Sequence, residues 1–230
     1  MNENIFRRIE EKYLIDKNQM ETLLNSISPY IECDEYYEST INNIYFDNDN
    51  NDMIVESLEK PEFKAKVRLR SYGTPELNDK VFLEIKDKYQ GIVGKRRICL
   101  KLNDFYDYLN NGLVNDSQIM KEIDYYFKRY DLKPFMFVGY DRKSYRGREN
   151  RDLRITLDEN LRSRSEDLQL ELGSSGKNYF DKDKYIMEIK TLDALPLWLT
   201  RVLSELKIYP ISFSKIGNIY ENKRKGEVVC

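Results

Sequence analysis

The segment FKAKVRLRSYG, residues 63–73, places a basic side chain at every second position and apolar side chains between them. Strict alternation of this kind predicts a β-strand with one buried face. An ordinary solvated sheet face would explain the charges. A ligand rich in phosphate is the alternative, because guanidinium groups bind phosphate through paired hydrogen bonds. The four basic residues are Lys64, Lys66, Arg68 and Arg70.

The same alternation recurs along the chain, always pairing an apolar face with a face that carries both basic and acidic residues. An antiparallel sheet with one wet face would show this pattern. A sheet closed with its charged faces inward, forming a barrel with a polar lumen, would show it too. Alternation alone leaves both arrangements open. The five further segments are residues 5–15, 80–88, 94–102, 152–159 and 185–190.

Helical periodicity and composition complete the outline of a single domain over residues 1–230. Four helices are predicted, at residues 17–28, 103–111, 116–130 and 193–207. The net charge of −2, with 34% charged residues, argues against a general nucleic-acid binder, which is usually basic throughout. The chain has no histidine, which excludes histidine-based catalysis and histidine zinc sites.

The cysteines and the polar N-terminus predict a cytoplasmic protein. Cys33, Cys99 and Cys230 are far apart, form no CxxC motif and imply no disulfide framework. No signal peptide and no apolar run of membrane-spanning length is expected. A membrane-protein partner would leave no trace in this sequence and stays unknown.

Seven motifs occur in an order that resembles the catalytic domain of the vacuolar transporter chaperone (VTC) complex and its bacterial relatives. These proteins belong to the triphosphate tunnel metalloenzymes, also called the CYTH superfamily. The resemblance runs from about residue 5 to residue 222, and it depends on the set, because no single motif is specific. The motifs are RIEEKYLI, VRLRSYG, VFLEIKDK with GIVGKRR, YDRKSYRG, LRITLDENL, MEIK and FSKIGNIY.

The resemblance implies an α+β fold in which a closed antiparallel β-barrel forms the tunnel and the helices pack outside. Its lumen holds a triphosphate on basic residues and a divalent metal, Mg²⁺ or Mn²⁺, on acidic ones. The phosphate-binding positions carried over are Lys12, Arg68, Arg70, Lys86, Lys95, Arg97, Arg142, Arg154, Lys190 and Lys215. All of these except Lys95, Arg97 and Lys190 are also implied as catalytic.

The acidic positions are less uniform in their implied roles. Glu188 matches the metal position of the family, and Glu10 and Glu84 flank it as ligands or as partners that orient the lysines. Asp158 is interpreted as a structural partner of Arg154 or as a turn residue. Lys64 and Lys66 lie on the same face of their strand as Arg68 and Arg70 but nearer its start. Whether they bind phosphate or are simply solvated remains open. Tyr13, Tyr45 and Tyr140 are interpreted as core or wall residues.

The motif of the first strand helps to distinguish phosphate transfer from triphosphate hydrolysis. The triphosphatase branch of the superfamily carries ExExK there, whereas this chain has Arg8 at the first acidic position, followed by Glu10 and Lys12. The VTC-type pattern fits better and implies transfer of the ATP γ-phosphate to a growing polyphosphate chain. No Walker P-loop is present, so any ATP site is of the tunnel type. A metal-dependent triphosphatase and a non-catalytic polyphosphate or nucleotide sensor remain the alternatives.

Overall fold

The computed structural model describes residues 9–59, 61–89, 92–112, 115–179, 182–192 and 194–225. Its centre is one antiparallel nine-stranded sheet with the order β1-β9-β7-β6-β2-β3-β4-β5, in which β8 pairs with β7 alone. The strands are β1 Ile9–Asp16, β2 Ile31–Asp47, β3 Phe63–Tyr72, β4 Lys80–Tyr89, β5 Ile92–Lys101, β6 Lys133–Gly147, β7 Arg154–Arg164, β8 Lys177–Asn178 and β9 Lys184–Thr191. The six predicted strands are confirmed within the described residues, and residues 5–8 of the first lie outside them. Strands β2 and β6 add two long central ones.

Six α-helices accompany the sheet in the described part of the chain, together with a short 3-10 helix at Leu170–Leu172. The four predicted helices are present, and two more follow from the structure alone. None of the described helices combines the length and apolar composition needed to cross a lipid bilayer. The helices are α1 Lys17–Ile27, α2 Asp52–Leu58, α3 Leu102–Asn111, α4 Gln118–Tyr130, α5 Leu197–Glu205 and α6 Lys215–Lys225.

The sheet curls strongly toward its charged side. Strands β1 and β4 lie six strand spacings apart, which would be roughly 29 Å in a flat sheet at about 4.8 Å per spacing. Nevertheless the Lys86 ammonium of β4 lies 3.2 Å from the Glu10 carboxylate of β1. The charged parity therefore lines a concave face, whose two halves meet through their side chains.

The structure confirms the antiparallel sheet of the predicted barrel but not its closure. No backbone ladder joins β1 to β5 within the described residues. Instead, the free edge of β1 pairs with the segment before α6, where the Ile211 N–H donates to the Lys12 carbonyl at 2.7 Å. The sheet is thus curled but open in its hydrogen bonding, because another segment occupies the edge that closure would need.

Two apolar clusters cover the convex face. Helices α3 and α4 pack on β3, β4 and β5, where Val67 and Leu83 are fully buried. Helices α1 and α5 pack on β1, β7 and β9, where Ile155 and Ile189 are fully buried. These four helices lie outside the curled sheet, as predicted.

Helix α6 corrects the prediction that all helices pack outside. Its Ile216 and Ile219 pack with Tyr45, Val138 and Tyr140 in a third cluster. The Tyr45 and Tyr140 hydroxyls accept hydrogen bonds from the concave-face residues Arg68 and Arg70. Helix α6 therefore covers part of the concave face. Sequence periodicity missed it because its charged residues outnumber its buried apolar ones.

Helix α2 supports α6 and is anchored by one buried carboxylate. Asp47 accepts hydrogen bonds from the backbone N–H groups of Met53 and Ile54, at 3.0 and 2.9 Å. It also accepts from the N–H of Asn48. Because Asp47 is 2% exposed, water cannot replace these bonds if its side chain is lost.

We expect Asp47→Ala to lower the free energy of unfolding by about 1–2 kcal/mol, the range found for lost helix caps. Asp49→Ala is the matched control, because Asp49 is exposed and makes one surface ion pair with Lys133. Urea unfolding of both variants measures the difference. Equal stability of the two would show that Asp47 does not hold α2.

Candidate functional site

Glu84 organises the cations of β3 and β5. Its carboxylate is fully buried and lies 2.8 Å from the Arg68 guanidinium and 2.7 Å from the Lys95 ammonium, with Arg70 at 3.9 Å. Burial alone would raise the pKa of Glu84, but Arg68 and Arg70 lower it to about 2. Glu84 is therefore ionised and works as a counter-ion that fixes three cations on the concave face.

Glu10 organises a second group, this time of lysines. Lys86, Lys12 and Lys190 lie 3.2, 3.4 and 3.7 Å from its carboxylate. Lys190 also lies 2.6 Å from Glu188, which is 7% exposed. Burial opposes ionisation of Glu188, yet Lys190 and its other cationic neighbours keep its pKa well below the ordinary range.

Asp158 organises the third group and corrects the interpretation that it pairs with Arg154. Arg142 donates two hydrogen bonds to the Asp158 carboxylate, at 2.6 and 2.7 Å. The Lys215 ammonium of α6 lies 2.6 Å from the same carboxylate. All three side chains are largely buried, so helix α6 is tied to the sheet through a buried ion pair.

Positive charge exceeds negative charge on this face by a wide margin. Eight cations share four carboxylates in the three groups and at Glu188, which leaves four positive charges uncompensated. The pKa of Tyr140 reflects this excess of positive charge. Burial alone would raise its pKa, but Arg70, Arg142 and Lys215 lower the pKa of Tyr140 to about 8. Four of the cations, Arg68, Arg70, Arg142 and Lys215, are at most 14% exposed. Holding these buried charges beside further lysines is costly unless an anion joins them.

Some predicted positions lie apart from these groups. Arg154 is half exposed and pairs with Asp34 at 3.0 Å. Arg97 is exposed and stacks over the Phe82 ring, with its guanidinium carbon 4.7 Å from the ring centroid. Lys64 donates to the Ser57 carbonyl of α2. Arg8, on which the comparison with ExExK rests, lies outside the described residues.

The sequence left the role of Lys66 open and did not single out Thr156, and the structure brings both residues to the site. The Lys66 ammonium donates to the Ser214 hydroxyl at 2.8 Å, at the start of α6. Thr156 is 4% exposed and lies in register with Glu188, and its hydroxyl has no hydrogen-bond partner among the described residues. An unpaired buried hydroxyl beside a carboxylate marks a place where a polar ligand would fit. Only the strand register reveals this position of Thr156.

The predicted metal ligands are not assembled into one cluster. Glu10 and Glu188 share Lys190, whereas Glu84 is held by Arg68 and Lys95. No group of three or more acidic or thiol side chains in the described residues is close enough to hold a metal alone. Mg²⁺ in phosphate-transfer sites is bound by one or two carboxylates together with phosphate oxygens and water. Glu10, Glu188 and the Thr156 hydroxyl fit such a donor set.

Comparison with known proteins gives the family. A family model described as the VTC domain matches residues 7–221. Vacuolar transporter chaperone complex subunit 4 of Trypanosoma brucei brucei is 24% identical over 212 residues, which cover 72% of this chain and 27% of that protein. The Schizosaccharomyces pombe subunit 4 is 26% identical over 148 residues, which cover 54% and 20%. The chain thus spans about a quarter of the length of the curated relatives it matches.

Two solved structures share the fold. A protein from Bacillus halodurans, provisionally named an adenylate cyclase, superposes with a TM-score of 0.55 at 13% identity, covering 90% of this chain and 95% of that one. A Hippeastrum protein, provisionally named an adenylyl cyclase and reported to have a dominant triphosphatase activity, gives 0.53 at 17% identity, covering 96% and 97%. At these identities the likeness shows the fold alone, and it confirms the predicted fold family.

We expect Asp158→Asn to lower the free energy of unfolding by about 3–5 kcal/mol, because it leaves Arg142 and Lys215 buried without their counter-ion. Tripolyphosphate should restore more stability to this variant than to the wild type. Asp116→Asn is the control, since Asp116 is 90% exposed and pairs only at the surface with Lys121. Urea unfolding with and without tripolyphosphate tests this, and equal effects in both variants would contradict it.

A second expectation concerns pH. Burial lowers the pKa of Lys66 to about 8, and its lysine neighbours add to the shift. Lys66 therefore loses its charge as pH rises through about 8, so tripolyphosphate affinity should fall between about pH 7 and pH 9. In Lys66→Gln this fall should shrink, while ionisation of the ligand acts equally on both proteins. Calorimetric titration across this range measures it, and parallel curves would exclude Lys66 from the site.

Proposed function

The chain belongs to the VTC domain family, and from this premise we propose that it is a polyphosphate polymerase. In this proposal the concave face binds ATP and a growing polyphosphate chain, and the γ-phosphate of ATP passes to the end of that chain. The excess of four positive charges in these groups is the observation that supports it. A linear polyanion would compensate this charge along the length of the face.

Three arginines of the concave face are held in position before any ligand binds. Arg68 and Arg70 reach the face from β3, and Arg142 reaches it from β6. Each is held by a carboxylate or a hydroxyl, so little side-chain freedom remains to be lost when phosphate binds. Such fixed donors stabilise the charge that spreads over the transferring phosphoryl group.

The reaction balances without a general base. A terminal phosphate oxygen of the polyphosphate chain attacks the γ-phosphorus of ATP, and a new phosphoanhydride bond forms. The bond between the γ-phosphorus and the β–γ bridging oxygen breaks, and ADP leaves with that electron pair. Because the attacking oxygen already carries negative charge, no proton has to be removed. A chain without histidine can therefore perform this chemistry.

Glu188 and Glu10 are the residues that would hold the divalent ion, with the Thr156 hydroxyl beside them. When bound, Mg²⁺ or Mn²⁺ supplies charge neutralisation at the phosphate oxygens. Lys190 contacts both carboxylates and favours their ionised forms, which are the forms that bind a metal ion. The pKa of Glu188, held well below its ordinary range, supports the same role.

The partners and the cellular location of the chain are also proposed from its relatives. The relatives are named as subunits of a complex, and this chain matches only a part of each. We infer that it too acts beside further subunits or domains, with ATP supplied from the cytoplasm.

The decisive experiment incubates the protein with ATP and Mg²⁺ or Mn²⁺, and assays polyphosphate and free phosphate separately. The wild type should form polyphosphate. Glu188→Gln should reduce this by at least about tenfold, as expected when a metal site loses its anchor. Tripolyphosphate affinity should hold or rise in the same variant, because one negative charge leaves the face.

Glu122→Gln is the matched control, because Glu122 lies on α4 outside the sheet and pairs with Arg96. Its polyphosphate formation should equal that of the wild type. Release of free phosphate in place of polyphosphate would instead identify a triphosphatase. Binding of tripolyphosphate without any turnover would identify a sensor, and either result would overturn the proposal.

A further inference from the structure

A cluster of arginines surrounds the turn between β6 and β7, away from the three carboxylate-centred groups. The guanidinium groups of Arg151, Arg146 and Arg148 lie 2.6, 2.8 and 3.6 Å from the single carboxylate of Glu32. The three arginines, here called the rim arginines, are 60%, 43% and 52% exposed. This cluster lies in solvent, so the packing of the core does not explain it.

The strand register connects this cluster to the concave face. Lys190 of β9 lies opposite Arg154 of β7, which in turn lies opposite Arg146 of β6. In-register partners on neighbouring antiparallel strands project from the same face of the sheet. A continuous basic row therefore runs from Lys190, which contacts Glu188 and Glu10, to the rim arginines.

The rim arginines have capacity to spare for an anion. Each guanidinium carries five N–H donors, whereas one carboxylate offers about four acceptor sites, so Glu32 cannot saturate three of them. Hydrogen bonds from Arg146 and Arg151 keep the pKa of Glu32 below its ordinary value. With Arg154 and its partner Asp34 included, the ion pairs here join four cations to two carboxylates. The turn also carries the exposed acids Glu149 and Asp152, so the capacity for an anion comes from unsaturated guanidinium donors and not from a net positive charge.

Hydrogen bonds hold the backbone of the turn that carries these arginines. The Gly147 N–H donates to the Leu153 carbonyl, and the Arg148 N–H donates to the Tyr30 carbonyl, both at 2.9 Å. A Cβ at Gly147 would lie 2.2 Å from the Asn150 carbonyl oxygen, so the turn is closed too tightly for another residue. A rigid turn reduces the entropy lost when a ligand binds its side chains.

We propose that the rim arginines form a second binding site, which holds the part of a linear polyphosphate chain that extends beyond the concave face. This inference rests on the proposed function, because it assumes that the concave face binds the reacting end of the chain. Arg154 and Lys190 then link the two sites. A short ligand such as tripolyphosphate occupies only the concave face, whereas a long chain reaches the rim.

The test compares tripolyphosphate with long-chain polyphosphate in calorimetric titrations of the wild type and of Arg148→Gln/Arg151→Gln. The wild type should bind the long chain more tightly than tripolyphosphate, at equal concentrations of binding sites. The double variant should lose about tenfold in long-chain affinity, the scale of two exposed charge pairs, and keep its tripolyphosphate affinity. Its long-chain affinity should also depend less steeply on salt.

The control is Lys121→Gln/Lys128→Gln, which removes the same charge from α4 on the outside. Its long-chain affinity should match that of the wild type, and a loss equal to that of the rim variant would overturn the second site. Equal affinities of the two ligands for the wild type would overturn it as well. Wild-type protein that does not bind tripolyphosphate would instead overturn the proposed function, and the second site with it.

One further arm separates polyphosphate from a lipid surface that offers the same phosphate chemistry. Vesicles containing phosphatidylserine should bind the wild type and the rim variant equally weakly. If the rim variant loses vesicle binding while its long-chain polyphosphate affinity is unchanged, the rim arginines bind lipid headgroups and the proposal is wrong.

Discussion

Mutual repulsion among the cations clustered on the concave face is the constraint on which the rest of this structure depends. Glu84, Glu10 and Asp158 each pair with two or three basic side chains. Together these carboxylates reduce the repulsion among the cations when no ligand is bound. The convex apolar clusters must supply the stability that this face removes. Helix α6 contributes to both effects. Its Lys215 adds a cation to the concave face, and its apolar side chains cover part of that face.

The strands were predictable where one face is apolar and the other charged, as in β3. Strand β2 was not, because residues 41–47 are buried on both faces and include Asn42 and Asn43. Their amides bond to backbone carbonyls of other elements, a partnership that no local pattern shows. Helix α2 was missed for a similar reason. Its start depends on Asp47, which precedes it and caps it across a turn.

The site was predictable in its residue types but not in its pairing. The resemblance carried over Arg142, Lys215 and Glu84, yet it could not show which carboxylate holds which cation. Pairing depends on register and on the curl of the sheet, and both are set by contacts between distant segments. Lys86 meets Glu10 although 76 residues separate them. The roles assigned to these residues in binding and catalysis stay predictions.

The way the carboxylates are used also bears on the choice between transfer and hydrolysis. Activating a water molecule needs a carboxylate or a metal that is available to take up a proton or to polarise the water. Here Glu84 is fully buried and engaged by Arg68 and Lys95, and its low pKa makes it a poor proton acceptor. Asp158 is likewise engaged by Arg142 and Lys215. With Glu10 and Glu188 assigned to the divalent ion, the two remaining acids, Glu84 and Asp158, are unsuited to act as bases toward water. This favours an acceptor that is already an oxyanion, and the end of a phosphate chain is such an acceptor.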